Sequence, residues 1–386
     1  MDFRLSVEEE MLKETIHQFA AKEVAPLAAA VDRDGVFPAK NFRKLGSMGL
    51  LGITVPEEFG GAGGTYTDMM IVTEELACAC TATAVAFAAN AALFSDNLAR
   101  NGSDYLKQQY LPGACSGELV GGIAMTEPST GSNVMSMQTR AERRGDHYVL
   151  NGSKILITNA PIGDVFIVYA KTNPSGGSDG ISAFVVDKTF PGFHRGRAFD
   201  KMGWRGSPTG ELIFDDCIVP HENLLGFLNR GTDVLMSGLN SERLAMGALS
   251  IGLARGAYEF SFQYAKDREQ FGQSLIGFQL IQDKLVTMAM NVEMARLLVY
   301  KGAAMMDQGT RGRDANLLAS YAKLFASEMS MTTTTEAVQI LGGYGFTKDF
   351  PVERMMRDAK INTIGGGTSE IQKMIIMREL LEERHR

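Results

Sequence analysis

Three segments of this 386-residue chain carry residue types that can do chemistry together. The first is Met125-Thr126-Glu127-Pro128-Ser129-Thr130-Gly131-Ser132-Asn133, which follows an apolar run and is dense in hydroxyls. Such a loop can aim short side-chain donors and backbone N–H groups at a polar ligand. The second is Lys154-Ile155-Leu156-Ile157-Thr158-Asn159, a strand pattern with a hydroxyl near its end. The third, Ile364-Gly365-Gly366-Gly367-Thr368-Ser369-Glu370-Ile371, sets glycines before a helix with a hydroxyl cap. Backbone N–H groups in that position can face an anion or a developing oxyanion. Taken singly, each has a plainer reading: a polar turn, a half-buried strand, and a linker with an N-cap.

Other chemistries lack their residues. The histidines (His17, His147, His194, His221, His385) are scattered, and none has a zinc spacing. No HExxH, P-loop or GxSxG motif occurs. No metal is expected. Cys78, Cys80, Cys115 and Cys217 are too sparse for a disulfide framework and read as small core residues in a reducing compartment. The Gly60–Gly64 cluster lacks the GxGxxG spacing and a preceding strand. A net charge of −7 argues against nucleic-acid and anionic-membrane surfaces, though not against a local basic pocket. The N-terminus, MDFRLSVEEE, does not read as a signal peptide, and no apolar run reaches the ~20 residues of a membrane span. A cytoplasmic protein is expected.

The elements that position these segments fall into three blocks. The first reads helical: Ser6 and Glu9 form a capping box, followed by Met11, Ile16, Phe19, Ala20 and Val24 at helical spacing. Further helices are expected over 41–48, 66–80, 81–99 and 104–111. From Gly117 to about Gly231 short β-rich runs alternate with turn signals, and Asn151-Gly152 reads as a hairpin turn. Long helical patterns follow over 235–267, 278–308, 313–341 and 368–383, with Gly309, Gly342 and Gly343 as stops. Helices, then strands, then helices exclude an alternating βαβ protein. The fold class is α+β, with expected boundaries 1–117, 118–231 and 232–386.

In combination the three segments resemble the acyl-CoA dehydrogenase family. The resemblance extends to Asp200-Lys201-Met202-Gly203-Trp204-Arg205-Gly206-Ser207, Arg268-Glu269-Gln270-Phe271-Gly272, Gln339-Ile340-Leu341-Gly342-Gly343-Tyr344-Gly345 and Arg357-Asp358-Ala359-Lys360. These stretches span nearly the whole chain in family order. The resemblance implies an N-terminal helical domain, a central β-barrel-like domain and a C-terminal four-helix bundle. It also implies FAD, an acyl-CoA substrate, a homotetramer, and electron-transfer flavoprotein as acceptor, in a β-oxidation-like reaction.

The implied reaction removes an α-proton and a β-hydride, which calls for a desolvated carboxylate base and a polarised thioester carbonyl. Many family members carry the base just before the Gly-Thr of the third segment, where this chain has Gly366. The isovaleryl-CoA dehydrogenase-like subgroup carries it on a bundle helix, and Glu242 in Ser237-Gly238-Leu239-Asn240-Ser241-Glu242-Arg243 falls at that position. Burial raises a carboxyl pKa and a neighbouring Arg243 lowers it, so the sequence leaves the sign open. The resemblance puts the backbone N–H of Gly366 on the thioester carbonyl. It puts Thr126 and Thr158 near the flavin ring, with Met125 and Ile157 beside them. Ser132 matches a contact to the CoA portion and is counted with the cofactor set as well. Arg268, Phe271, Gln279, Gln339 and Gly343 match residues holding the FAD adenosine diphosphate, partly across a subunit boundary, and Thr368 and Glu370 match further FAD contacts. Asn240, Arg243, Gly365 and Gly367 join Ser132 and Gly366 on the substrate side. Ser129, Asn133 and Leu156 depart from the commoner Gly, Asp and Trp. The bare Gly365 and Gly366 imply a short branched or ring-bearing acyl group. Alternative readings are an acyl-CoA oxidase, a dehydrogenase of carrier-protein thioesters, and a scaffold that binds CoA or flavin without turnover.

Overall fold

Ser6 caps the first helix as its spacing predicts. Its hydroxyl accepts from the Glu9 N–H at 3.1 Å, and the Glu9 carboxylate accepts from the Ser6 N–H at 2.6 Å. The computed structural model describes residues 4–382, so His385 and the expected helix end at Glu383 lie outside the described residues. The first block holds helices α1 (Val7–Phe19), α2 (Ala28–Asp34), α3 (Ala39–Ser47), α4 (Tyr66–Ala79), α5 (Thr81–Ala88), α6 (Asp96–Asn101) and α7 (Asp104–Ser116). A π-helical segment, Ala89–Ser95, joins α5 to α6. Helix α7 runs past the expected stop at Leu111 with Pro112 inside it, because Ala114 and Cys115 bury its last turn.

The second block holds strands β1 (Gly121–Ala124), β2 (Arg140–Arg144), β3 (His147–Thr158), β4 (Val165–Lys171), β5 (Ile181–Asp187), β6 (Phe193–Ala198), β7 (Thr209–Pro220) and β8 (Leu224–Leu225). They form one eight-stranded sheet in the order β6-β7-β3-β2-β4-β5-β8, with β1 parallel to β4. The hairpin expected at Asn151-Gly152 is absent. β3 runs straight through these residues, and its register against β7 shifts between Leu150 and Gly152. The extra residue of this β-bulge lies on β7, where Asp215 and Asp216 stand opposite Asn151. Asn151 clamps Asp216 of β7 with two hydrogen bonds of 2.9 Å, and Gly152 at φ +143° passes within 2.8 Å of where a side chain would strike the Thr139 backbone. The chain turns instead at Gly145-Asp146, between β2 and β3.

The third block holds helix α8 (Gly231–Asp267), the small hairpin β9 (Glu269–Gln270) and β10 (Gln273–Ser274), then α9 (Gln279–Asp307), α10 (Arg313–Leu341), α11 (Val352–Ala359) and α12 (Ser369–Glu382). Leu244, Ala248, Val299, Ala322 and Ala326 form the packed seam of α8, α9 and α10. Among the described residues, no helix is long and apolar enough to cross a membrane, and no group of three or more His, Cys, Asp or Glu stands together to hold a metal.

Helix α8 joins the blocks. At 37 residues it is about 56 Å long. Helix α4 crosses it at two glycines: a Cβ on Gly252 would lie 2.2 Å from the Glu74 carbonyl oxygen, and one on Gly256 would lie 2.6 Å from that of Cys78. Beside this crossing, Arg255 pairs with Glu74 at 2.9 Å and with Glu75 at 2.6 Å, and Arg296 of α9 pairs with Glu74 at 2.9 Å. These carboxylates are buried, so the pairing is obligatory. Gly252→Ala is expected to lower stability by about 1–3 kcal/mol, because backbone has to move. A fall in the denaturant or thermal midpoint measures it.

Candidate active site

Glu242 sits on α8 and faces the glycine turn that leads into α12. A Cβ built on Gly366 would lie 3.8 Å from Glu242 Oε1 and 3.1 Å from Met246 Cγ. Gly366 and Gly367 have φ of +62° and +84°, the left-handed region that glycine enters freely. A side chain on Gly366 would meet both this strain and Met246, and would end where the Glu242 carboxylate stands. One carboxylate fits this corner, and it comes from α8. At Gly365 a Cβ would make ordinary van der Waals contact, 3.6 Å from the Ile361 carbonyl oxygen and 3.9 Å from Met246 Cε, so a small side chain would be tolerated there.

The turn is held from behind by a residue the sequence reading passed over. Lys323 of α10 is fully buried and donates from Nζ to the Gly367 carbonyl oxygen at 2.7 Å. Gln372 Nε2 donates to the carbonyls of Gly366 and Gly367 at 3.1 and 3.3 Å. The signal was present: Lys323 lies on the Ala319, Ala322, Ala326 face of α10, where a cation has to be paired. Burial pushes the Glu242 carboxyl above its ordinary range, with Arg243 and then Lys323 opposing it. Burial also draws the Lys323 ammonium down to about 8, against the pull of Glu242.

The first two segments meet through a second buried lysine. Lys154 donates to Glu127 Oε1 at 2.8 Å and to the Met125 carbonyl at 3.1 Å. Glu127 in turn accepts from the N–H groups of Gln138 and Thr139 at 2.5 and 3.0 Å. The Ile155 N–H donates to the Thr126 carbonyl at 2.8 Å. The loop is thus stitched to β3, and Met125, Thr126, Ile157 and Thr158 come together. A register shift between Lys154 and Ile157 turns Leu156 outward at φ +59°, leaving it exposed while Ile157 is buried. Ser132 is exposed on the same loop.

A narrow recess, with a cavity volume of about 10 Å³, connects the loop to α8. Its wall includes Ala92, Leu93, Ile123, Met125, Leu235 and Leu239, and Glu242 is part of its lining. Its lining is mostly apolar, with one ionisable carboxyl. Asn240 and Arg243 are not in its lining. Arg243 donates to Asn240 Oδ1 at 3.1 Å, Asn240 donates to Asn316 Oδ1 at 3.0 Å, and Asn316 reaches Glu379 of α12 at 3.4 Å.

The remaining expected cofactor residues lie elsewhere. Thr368 caps α12, accepting from the Ile371 N–H at 3.3 Å, and Glu370 is exposed on its first turn. Arg268, Phe271, Gln279, Gln339 and Gly343 gather at the far end of the bundle. The Arg268 guanidinium stands over the Tyr344 ring at 5.7 Å. Phe271 is 94% exposed at φ +52°, an unusual backbone for an aromatic residue. Arg268 follows Glu242 by 26 residues along α8, about 39 Å.

Known proteins share both the fold and these segments. Domain models described as "Acyl-CoA dehydrogenase, N-terminal domain", "middle domain" and "C-terminal domain" match residues 6–118, 122–217 and 229–381. The short-chain specific acyl-CoA dehydrogenase of Clostridium acetobutylicum is 43% identical over 376 residues, covering 97% of this chain and 98% of that one. Mitochondrial isovaleryl-CoA dehydrogenase of Oryza sativa subsp. japonica is 42% identical over 379 residues, covering 97% and 91%. The solved structure of butyryl-CoA dehydrogenase from Megasphaera elsdenii superposes with a TM-score of 0.96 at 38% identity, covering 99% and 100%. Fold and site together define an FAD-dependent oxidoreductase. The chain belongs to the acyl-CoA dehydrogenase family.

The residues present fit FAD. Thr126, Thr158 and the stitched backbone offer short donors beside the recess. Arg268 offers a fork of donors suited to a pyrophosphate, and Phe271 an unstacked aromatic face.

Lys323→Met is expected to retain FAD and to slow flavin bleaching by about 10–100-fold through loss of the turn's alignment. Removing a cation near Glu242 favours its neutral acid, so the acid limb of the pH–rate profile moves to higher pH. Anaerobic stopped-flow bleaching across a pH series reads both effects.

Proposed function

We propose that this enzyme removes an α-proton from a short branched or ring-bearing acyl-CoA with Glu242 as the base. The observation that carries this reading is the 3.8 Å between Glu242 Oε1 and the side-chain position left bare at Gly366. The Gly366 N–H polarises the thioester carbonyl, which acidifies the α-carbon. The raised Glu242 carboxyl is a better match to that weak carbon acid than an ordinary carboxylate. Bound FAD supplies the acceptor for the hydride that leaves the β-carbon. Proton to Glu242 and hydride to the cofactor together leave the α,β-unsaturated thioester. Lys323 and Gln372 hold the turn, Lys154 holds the loop, and the recess excludes water from the acyl group.

The absence of side chains at Gly365 and Gly366 supports a branched group near the thioester, and the isovaleryl-CoA dehydrogenase relative agrees with it. Electron-transfer flavoprotein is the acceptor in this reading, as the family supports. The protein acts as a homo-oligomer, a tetramer as in its family. Support comes from Arg268, which lies about 39 Å along α8 from Glu242, and from Val286, Met290, Met294 and Leu297, an exposed apolar stripe at helical spacing on α9. The domain boundaries near residues 117 and 231 stand as part of the same proposal.

Glu242→Gln is expected to purify with FAD bound and to show no substrate bleaching, a loss of at least about 1,000-fold. Anaerobic absorbance of the flavin with a series of acyl-CoAs measures this. Near-wild-type bleaching in that variant would remove Glu242 from the mechanism, and a preference for linear medium chains in the wild type would remove the branched substrate. For the wild type, the rate is expected to fall as pH drops through the raised Glu242 pKa, since the base must be ionised.

A further inference from the structure

Lys154 and Lys323 each have an anion to answer: Lys154 donates to Glu127 at 2.8 Å, and Lys323 stands opposite the charge of Glu242. A further lysine, Lys201, does not. It lies in the loop that follows β6 and is partly buried. Its Nζ donates to the Ser207 carbonyl and, at 2.8 Å, to Thr209 Oγ1, both neutral oxygens. The arginines around it are neutralised: Arg205 pairs with Asp200 at 2.8 Å, and Arg357 pairs with Asp32 at 2.6 Å and Glu353 at 2.8 Å. Among the described residues, no carboxylate lies within ion-pair reach of Lys201. The anion that acts on it from farther off is Asp358, whose Oδ1 accepts from the Trp204 N–H at 2.6 Å.

Thr209 links this ammonium to the flavin side of the sheet. It opens β7 and pairs in register with Thr158, the last residue of β3. Residues directly opposite one another share a face, with Cβ atoms about 5 Å apart. One position earlier, Ile157 pairs with Gly210 and turns into the core of the sheet. Thr158, Thr209 and Lys201 therefore belong to the other face. The frame around them is rigid. The Asn159 N–H donates to the Pro208 carbonyl at 2.8 Å, tying the two strand ends together. A Cβ on Gly203 would lie 2.5 Å from the Arg357 carbonyl oxygen, and one on Gly206 would lie 2.1 Å from Val31 Cγ1. The loop is thus pressed between α11 and α2 and holds the ammonium where it is.

A fixed cation without a counter-ion biases any nearby reaction that creates negative charge. Hydride uptake by an isoalloxazine is such a reaction. Two unit charges about 10 Å apart, at an effective dielectric near ~20, move an equilibrium by roughly tenfold. Burial draws the Lys201 ammonium down to about 8, against the pull of Asp358, which leaves it charged at pH 7.

We propose that Lys201, held by Thr209 beside Thr158, raises the reduction potential of the bound FAD and so eases hydride removal from the thioester. This deepens the dehydrogenase reading and rests on it, with the flavin ring lying against Thr158. Lys201 touches no reacting atom. It is a positioning residue that sets the field in which the hydride moves.

The test is the midpoint potential of the flavin in the holoenzyme at pH 7, read anaerobically as enzyme and a reference dye are reduced together, with no acyl-CoA present. Lys201→Met is expected to favour the oxidised form by about tenfold, a fall of about 30 mV for a two-electron couple. Lys201→Arg keeps the charge and is expected to stay close to the wild type. Asp358→Asn removes the opposing anion while keeping an acceptor for the Trp204 N–H, and is expected to shift the equilibrium severalfold the other way. A lysine that only braces the loop gives no such change of sign. An unchanged potential in Lys201→Met, an equal fall in Lys201→Arg, or no rise in Asp358→Asn overturns the proposal. Should Lys201→Met lose its FAD, the other two variants decide. Wild-type flavin that no acyl-CoA bleaches overturns instead the dehydrogenase reading, and with it the use assigned to the raised potential.

Discussion

The Glu242 carboxylate and the turn at Gly366 come from α8 and from the entry to α12, and they have to meet within a few ångströms. A carboxylate in that position is stable only in part, because burial opposes its charge and only Arg243 and Lys323 offset the cost. The turn opposite it has no side chains of its own to pack. Its shape is set by hydrogen bonds to its carbonyls from Lys323 and Gln372. Lys323 serves both partners at once: it fixes the turn and its charge acts on the base. The helix bundle is therefore the scaffold of the reacting corner, and the packing of α8 against α10 decides how well the corner is aligned.

The sheet contributes the other wall by the same device. Lys154 is as deeply buried as Lys323, and it too spends its hydrogen bonds on a loop that lacks regular structure. Burial draws its ammonium to about 8 against the pull of Glu127. Each lysine replaces the ladder of hydrogen bonds that a strand or helix would have given the segment it holds. The cost is a desolvated cation in each half of the site, offset by Glu127, the Met125 carbonyl and the Met137 sulfur around Lys154 and by the Gly367 carbonyl at Lys323.

Much of this was legible in the residues. The Ser6–Glu9 box, the ends of the long helices and the order of blocks follow from capping and periodicity, which are local. The carboxylate at 242 and its absence at 366 were legible as a pair, and the two positions face one another. What failed was whatever depends on a distant partner. Asn151-Gly152 has the composition of a tight turn, but Asp216, 65 residues away, captures the Asn side chain and makes a bulge. The helix expected over 104–111 runs on through Pro112, carried by the core contacts of Ala114 and Cys115. Strand β2, Arg140–Arg144, is too charged to announce itself, and it forms because β3 pairs along its whole length. Lys323 stands on an alanine face of its helix, but its partner, the Gly367 carbonyl 44 residues on, shows only once the fold is in place.

The crossing at Gly252 and Gly256 has a mechanical consequence. It clamps α8 near its middle, with Glu242 about 15 Å to one side of Gly252 and Arg268 about 24 Å to the other. A stiff rod held at such a fulcrum behaves as a seesaw. A tilt of one degree displaces the carboxyl end by about 0.3 Å and sends the opposite tip the other way. Whatever loads the remote tip is thereby geared, at reduced amplitude, to the alignment of the reacting atoms.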